Sequence, residues 1–161
     1  MSKILFLDFD GVVNTPQWYV NTAGEYVVNY THKGVYHIVN NYQACQWVSA
    51  FCLRNDYQIV VSSSWRIHNG CKAALYNGGL RKEVQIVGET PVLGSRRNGR
   101  GYEIDEWLKA HPEVTDYIIL DDEDDFLLKQ KRHLILCTQD GFLGEEFDKA
   151  NRLVRRGKTR R

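Results

Sequence analysis

Short apolar runs separated by longer amphipathic or polar segments set the pattern of this 161-residue chain. The first run, residues 4–7, is apolar without alternation, which is typical of a central strand buried on both faces. Further strands are predicted at residues 57–61, 84–87, 117–120 and 133–136. No apolar run approaches the roughly 20 residues that a membrane-spanning helix needs.

The segments between these runs have apolar residues at helical spacing. Apolar residues recur at helical spacing from Val35 to Val48 and predict a helix over residues 35–55. Other helices are predicted over residues 69–80, from just after Arg100 to the His111-Pro112 stop, and along Phe147, Ala150 and Val154. Alternating strands and helices predict an α/β fold, a doubly wound, Rossmann-like parallel sheet with helices on both faces.

Two carboxylates, Asp8 and Asp10, follow the first strand. In an extended segment they point to the same side, about 6–7 Å apart, and two like charges there are unfavourable unless a cation or a proton lies between them. Mg²⁺ suits such a pair because it prefers oxygen ligands. The alternative is an acidic turn that only ends the strand, with Gly11 at the turn itself.

Polar residues also follow two other predicted core strands. The run Ser62-Ser63-Ser64 offers hydroxyl and backbone N–H groups that can bind a phosphate oxygen, and residues 121–125 are all acidic. The carboxyl ends of parallel strands share one edge of a sheet, so two acidic strand ends that meet there need a cation more than either alone. The alternative is that each of these two segments is only an ordinary turn.

Positive charge is concentrated at the end of the chain. The net charge is +1, yet the last ten residues hold six Arg or Lys and no acid, which leaves −5 on residues 1–151. We therefore expect one domain over residues 1–151 and a basic tail over residues 152–161. Such a tail can contact a polyanion such as nucleic acid, although solvated basic tails are also common.

The composition, with 43% apolar and 25% charged residues, is that of an ordinary single-domain protein. The first residues lack the long apolar core of a signal peptide, so a cytoplasmic location without membrane contact is expected. The four cysteines form no Cys-x-x-Cys pair and are expected to be buried thiols; they are Cys45, Cys52, Cys71 and Cys137.

Two segments interrupt the α/β pattern. Residues 15–34 predict a small hairpin around Ala23-Gly24, whose Tyr and Trp side chains either stack on a base or a sugar or pack against the domain. Residues 89–101 are rich in Gly and Arg and predict a basic loop. Its arginines Arg96, Arg97 and Arg100 could each meet a phosphate, and Arg100 is best placed, immediately before a helix.

Four segments together resemble the motifs of the haloacid dehalogenase (HAD) superfamily of phosphohydrolases, in family order. They are Asp-Phe-Asp-Gly-Val-Val-Asn at residues 8–14, Val-Val-Ser-Ser-Ser-Trp-Arg at residues 60–66, an Arg at a helix start, and Ile-Leu-Asp-Asp at residues 119–122. The last two segments look more narrowly like the small HAD domains associated with RNA-repair proteins. The resemblance implies a HAD-like fold with only a small hairpin cap and a Mg²⁺ cofactor.

The resemblance also implies a role for each matching residue. Asp8 would be the nucleophile that forms an aspartyl-phosphate, and Asp10 the general acid and then the base. Ser62 would hold the transferring phosphoryl group, with Ser63 as its rival, and Arg100 would neutralise developing charge, with Arg96 and Arg97 as rivals. The implied Mg²⁺ ligands are Asp8, the Asp10 backbone carbonyl, Asp121 and Asp122. The expected substrate contacts are Ser63, Arg66, Gly11 and Asn14.

Three functions are compatible with this sequence. The leading hypothesis is a Mg²⁺-dependent phosphomonoesterase acting on a polynucleotide terminus, such as a 3′-phosphate, or on a nucleotide. The insertions leave no room for a large cap, and HAD phosphatases without one tend to accept large substrates. The alternatives are a small-molecule phosphatase or nucleotidase, and a non-catalytic module that binds phosphate or nucleic acid. The intact Asp8 and Asp10 pair argues against the last, because binding alone does not need Asp10.

Overall fold

A computed structural model describes residues 2–15, 30–32, 35–37, 41–67, 70–94, 99–138 and 140–159 of the chain. In chain order the elements are β1 (Ser2–Leu7), β2 (Tyr30–His32), β3 (Val35–His37), α1 (Tyr42–Asn55), β4 (Gln58–Val61), α2 (Cys71–Asn77), β5 (Ile86–Glu89), α3 (Arg100–Ala110), β6 (Val114–Asp121), β7 (Leu134–Leu136) and α4 (Gly144–Thr159). Two single 3₁₀ turns, Ser64–Ile67 and Lys131–His133, follow β4 and precede β7.

Five parallel strands form the central sheet, in the order β5-β4-β1-β6-β7. The first strand of the chain therefore lies in the middle of the sheet, as its unbroken apolar run predicts. The chain winds outward from β1 in both directions, because β4 and β5 extend one side and β6 and β7 the other. This confirms the doubly wound, Rossmann-like α/β fold.

The side chains of β1 alternate between two separate apolar layers. Leu5 and Leu7 belong to the larger layer, together with buried residues of α1, α2 and α4. Ile4 and Phe6 belong to the smaller layer, where the Phe6 ring meets the Trp107 ring of α3 edge to face at 5.4 Å. Both layers exclude water from the strand, which is why β1 carries no polar residue between Ile4 and Leu7.

The predicted helix over residues 35–55 is wrong at its beginning. Val35–His37 is a strand, β3, paired antiparallel with β2, and the helix begins only at Tyr42. Asn41 explains the boundary, because its side-chain oxygen accepts hydrogen bonds from the backbone N–H groups of Gln43 and Ala44 and so caps the helix. The hairpin predicted around Ala23-Gly24 lies outside the described residues.

The other predicted elements are confirmed with small shifts of their ends. The four cysteines are buried, as expected, and burial raises the pKa of the Cys45 thiol to about 12. The basic segment from residue 152 onward continues α4 as far as Thr159. In the described part of the chain, no helix combines the length and the apolar character needed to cross a membrane.

Candidate active site

Strand register brings three of the predicted site residues side by side. Leu7 of β1 pairs with Val61 of β4 on one side and with Leu120 of β6 on the other. The next residues along these strands are Asp8, Ser62 and Asp121, and each is at most 3% exposed. The predicted convergence of strand ends at one edge of the sheet is therefore observed.

A cluster of three carboxylates lies at this edge. Asp8, Asp121 and Asp122 each offer an oxygen atom within 4.8 Å of the others. Burial, and next the charge of Asp8, raise the pKa of Asp121 to about 7, and the same two causes raise the pKa of Asp122. Three crowded carboxylates are the donor set that a hard divalent cation such as Mg²⁺ prefers, so the residues present fit the expected metal.

The guanidinium of Arg100 joins two of these carboxylates. Its Nη1 lies 2.6 Å from Asp8 Oδ2 and also forms an ion pair with Asp121 Oδ2. Burial alone would lower the pKa of Arg100, but Asp8 and then Asp121 outweigh it and raise that pKa above its ordinary value. Arg100 is therefore the cation of the described site, whereas its rivals Arg96 and Arg97 lie outside the described residues.

Packing at the first turn of α3 fixes the position of Arg100. The Nε2 of the buried Gln130 donates a hydrogen bond to the carbonyl of the next residue, Gly101, at 2.8 Å. Gln130 Oε1 in turn accepts from the Leu127 N–H at 3.0 Å. A Cβ at Gly101 would lie 2.8 Å from the Leu127 nitrogen, so only glycine allows this approach. Nothing in the sequence marked Gln130, which is one of four consecutive polar residues at positions 129–132.

The carboxylate of Asp10 is turned away from the cluster toward two N–H donors. Asn14 Nδ2 donates to Asp10 Oδ1 at 2.7 Å, and Trp65 Nε1 donates to Asp10 Oδ2 at 2.7 Å. This arrangement therefore does not place a cation between the side chains of Asp8 and Asp10. The backbone carbonyl of Asp10 remains the expected ligand. Asn14, expected to contact substrate, donates this hydrogen bond to Asp10, while its own Oδ1 is buried without a partner among the described residues.

Trp65 is a site residue to which sequence reasoning gave no role. It belongs to the segment Ser-Ser-Ser-Trp-Arg that marked the end of β4, but only the three-dimensional structure shows its indole reaching Asp10. A Trp directly after a run of site serines, with one N–H to donate, was the available signal.

A tight turn carries the chain from Asp10 to Asn14. Gly11 has a φ of +67°, and its N–H donates to the Asn14 carbonyl at 2.8 Å. A Cβ at this position would collide with the carboxylate of Asp122. Gly11, expected among the substrate contacts, thus lets the turn and the acidic strand end pack together.

The two rival serines differ in their hydrogen bonds. Ser63 Oγ accepts from the Trp65 backbone N–H at 3.3 Å, whereas Ser62 Oγ is buried with no hydrogen-bond partner among the described residues. A buried hydroxyl without a partner is costly unless a ligand satisfies it. Of the two serines, Ser62 is therefore the one whose hydroxyl is left without a partner among the described residues.

Arg66, expected to touch phosphate, has no donor left for it. All five of its N–H groups are used: they donate to the backbone carbonyls of Thr90, Ser62, Ser63 and Pro91, and to Glu103 Oε2 at 2.6 Å. Its side chain is 5% exposed. Arg66 thus fastens the loop after β4 to the segment after β5 and to α3.

A cleft with a volume of about 230 Å³ opens beside Arg100. Its lining is mixed: Ile67, Val92 and Leu93 are apolar, and the remaining lining residues are Ser64, Arg66, Gly99, Arg100, Glu103 and Asp125. The cleft offers apolar surface next to the cationic end of the site, which suits the organic part of a phosphate ester.

A sequence model of the family described as "HAD domain in Swiss Army Knife RNA repair proteins" matches residues 4–146. The chain belongs to this family. The match includes every residue of the carboxylate cluster of this HAD domain, together with Asp10, Ser62 and Arg100. No curated protein and no solved structure gives a significant match to it.

Proposed function

We propose that this HAD domain is a Mg²⁺-dependent phosphomonoesterase that forms an aspartyl-phosphate on Asp8. The contact of buried Asp8 with Arg100, inside a carboxylate cluster at the end of the central strand, carries the proposal. Phosphoryl transfer needs a positioned nucleophile and neutralised charge more than any other chemistry, and this edge of the sheet supplies both.

In the first half-reaction, an Asp8 carboxylate oxygen attacks the phosphorus of the ester. The new bond joins this oxygen to phosphorus, and the bond between phosphorus and the leaving oxygen breaks. Asp10, in its protonated form, gives its proton to the leaving oxygen, so an alcohol departs and Asp10 becomes a carboxylate. The N–H groups of Asn14 and Trp65 hold that carboxylate in place for the next step.

In the second half-reaction, Asp10 takes a proton from water, and the water oxygen attacks the phosphorus. The bond between phosphorus and Asp8 breaks, which releases inorganic phosphate, restores the Asp8 carboxylate and leaves Asp10 protonated for the next turnover. Asp10 therefore serves as acid and then as base at one position.

Ser62 and Arg100 support the transferring group in both steps. The free Ser62 hydroxyl donates to a phosphoryl oxygen, and Arg100 holds Asp8 in position while it offsets the negative charge on the equatorial oxygens. Asp8, Asp121 and Asp122 would hold Mg²⁺, with the Asp10 carbonyl. The ion supplies charge neutralisation that lets an anionic carboxylate approach an anionic phosphate.

The substrate that we favour is a phosphorylated polynucleotide terminus, such as a 3′-phosphate. The family is named for RNA repair proteins, and processing of strand ends is the part of repair that a phosphatase can perform. The cleft beside Arg100 offers apolar surface for a terminal sugar or base next to the phosphate position. A nucleotide would use the same cleft.

Phosphate release from a substrate panel, with and without Mg²⁺, tests the proposal. The panel holds a 3′-phosphorylated oligonucleotide, a 5′-phosphorylated one, mononucleotides and an aryl phosphate. We expect metal-dependent release, fastest from an oligonucleotide, that Asp8→Asn abolishes and that Asp148→Asn, a matched change at an exposed aspartate of α4, leaves intact. Release that persists in Asp8→Asn would reject the nucleophile, and release from none of the substrates would reject the activity.

A further inference from the structure

A groove rich in positive charge lies along the outer edge of the sheet, between α4 and the 3₁₀ turn that precedes β7. Five cationic side chains line it, and we call it the basic groove; they are Lys131, Arg132, Lys149, Arg152 and Arg156. Its volume is about 320 Å³, and no carboxylate lines it among the described residues. It is separate from the carboxylate cluster, with which it shares no residue.

Three of these cations are available to a ligand. Lys131 forms an ion pair with Asp124, and Lys149 pairs with Glu145 at 2.8 Å. By contrast, no carboxylate oxygen of the described residues lies within 4 Å of the exposed Arg132, Arg152 or Arg156. Exposed guanidinium groups with N–H donors to spare are suited to bind phosphate oxygens in pairs.

The cations of α4 form a row along the groove. Lys149, Arg152 and Arg156 follow each other at spacings of three and four residues, which puts them on one face of the helix. At 1.5 Å per residue the row is about 10 Å long. The row is therefore long enough to contact more than one phosphate of a bound strand.

The groove is close enough to the site for one strand to occupy both. Leu134, which lines it, pairs with Ile119 of β6, two residues before Asp121. A rise of 3.3 Å per residue and a spacing of 4.8 Å between strands put the backbone of Leu134 on the order of 10 Å from that of Asp121. The arginines lie farther from the site, because Arg132 and Arg156 also border a cavity lined by Asp116, five residues before Asp121, which is roughly 15–20 Å along β6. A strand several nucleotides long spans this distance.

We propose that the basic groove binds the sugar–phosphate backbone of the nucleic-acid strand whose terminal phosphate enters the carboxylate site. The inference rests on the proposed function and specifies its substrate as an oligonucleotide several residues long. A concave groove with cations on two walls fits a linear polyanion, whereas a membrane-binding face presents exposed apolar anchors beside its cations. The apolar residues of this groove, Leu134, Ile135 and Leu153, are instead half-buried or buried.

The test compares two triple variants with the same change in charge. The groove variant combines Arg132→Gln, Arg152→Gln and Arg156→Gln. The control variant changes three exposed cations outside the groove, and it combines Arg54→Gln, Lys72→Gln and Lys82→Gln. Both are made in the Asp8→Asn background, so that binding of a 3′-phosphorylated single-stranded oligonucleotide is measured by fluorescence anisotropy without turnover. We expect the groove variant to bind at least tenfold more weakly, with a salt slope lower by about 2, as expected for three lost phosphate contacts.

Activity measurements distinguish failure of the groove from failure of the phosphatase. In the active protein, we expect kcat/KM to rise with oligonucleotide length and the ratio of oligonucleotide to aryl phosphate kcat/KM to fall in the groove variant only. Equal binding by the two variants, or phosphate release that does not depend on oligonucleotide length, would overturn the proposed role of the groove and leave the proposed phosphatase activity unaffected. Groove-dependent binding without phosphate release from any substrate would support the groove and reject the phosphatase. Groove-dependent binding to phosphatidylserine vesicles, but not to the oligonucleotide, would replace nucleic acid with a membrane.

Discussion

Two arginines at the same edge of the sheet illustrate how differently one residue type is used. Arg66 follows β4 and gives all five N–H groups to four carbonyls and Glu103. Arg100 begins α3 and contacts Asp8 and Asp121. Both were candidates for phosphate binding from the sequence, and both side chains are largely buried.

The two arginines differ in whether a bound ion or substrate would compete for the groups that they contact. The partners of Arg66 are four backbone carbonyls and Glu103, none of which belongs to the carboxylate cluster, so its role is to hold loops together. The partners of Arg100 are the carboxylates that a metal and a phosphoryl group would also engage. Variants at Arg66 should therefore change stability first, and variants at Arg100 should change chemistry and respond to Mg²⁺.

The largest expected effect is that of Arg100→Ala on turnover. Removing a donor that offsets transition-state charge costs roughly 10²–10³-fold in kcat. In the absence of metal, the variant should also unfold at a lower temperature, because Asp8 and Asp121 lose their shared cation. Mg²⁺ should recover most of that loss, and a loss of stability that Mg²⁺ does not recover would contradict a role at the metal site. The measurements are steady-state kinetics and thermal unfolding with and without Mg²⁺.

Arg66→Lys should produce the opposite pattern. Lysine keeps the charge but offers three donors instead of five, so at least two buried acceptors lose their partner, at roughly 2–4 kcal/mol of unfolding free energy. Denaturant unfolding measures this loss, which Mg²⁺ should not recover. The matched control is Arg81→Lys at an exposed ion pair with Glu83, where little change is expected. Recovery by Mg²⁺ would place Arg66 in the site after all.

Asp121→Asn should remove the response of stability to metal. In the wild type, Mg²⁺ at 100 times its Kd stabilises the fold by about 2.7 kcal/mol. The variant should lose this shift and gain stability without metal, since Asp8 no longer faces a second buried charge. The wild-type shift should also shrink as the pH falls below about 7, because protonated Asp121 cannot bind the ion. A metal-induced shift that survives in Asp121→Asn would contradict the ligand assignment.

The smallest effect is expected for Gly11→Ala. The positive φ and the collision with the Asp122 carboxylate should cost about 1–3 kcal/mol of unfolding free energy and weaken the Mg²⁺ response. Gly94→Ala is the control, because a Cβ there meets no atom within 4 Å. Equal stability of the two variants in denaturant unfolding would show that the turn and the acidic strand end are not packed as described.

The sequence allowed the central strands and the acidic edge to be predicted because both depend on local pattern. An unbroken apolar run that ends in Asp8, and another that ends in Asp121, suffice to predict two neighbouring core strands with their carboxylates at one edge. The register that puts Ser62 beside them follows from the same parallel pairing.

What the sequence could not provide depends on contacts between distant segments. The saturation of Arg66 depends on the carbonyls of Thr90 and Pro91 and on Glu103, which are 24 to 37 residues away. The anchoring of α3 by Gln130 is of the same kind. The strand at Val35–His37 was missed because its apolar residues continue the helical spacing of α1, and the cap at Asn41 outweighs that periodicity.

Identification of the phosphorylated residue tests the central claim most directly. Asp10→Asn should still permit attack by Asp8 on an aryl phosphate, whose good leaving group needs little protonation, but should slow attack by water by roughly 10²–10⁴-fold. The account predicts that mass spectrometry after rapid acid quench finds one phosphoryl group on the peptide that contains Asp8, and none in the Asp8→Asn, Asp10→Asn double variant. A phosphoryl group on any other residue, or turnover by the double variant, would contradict it.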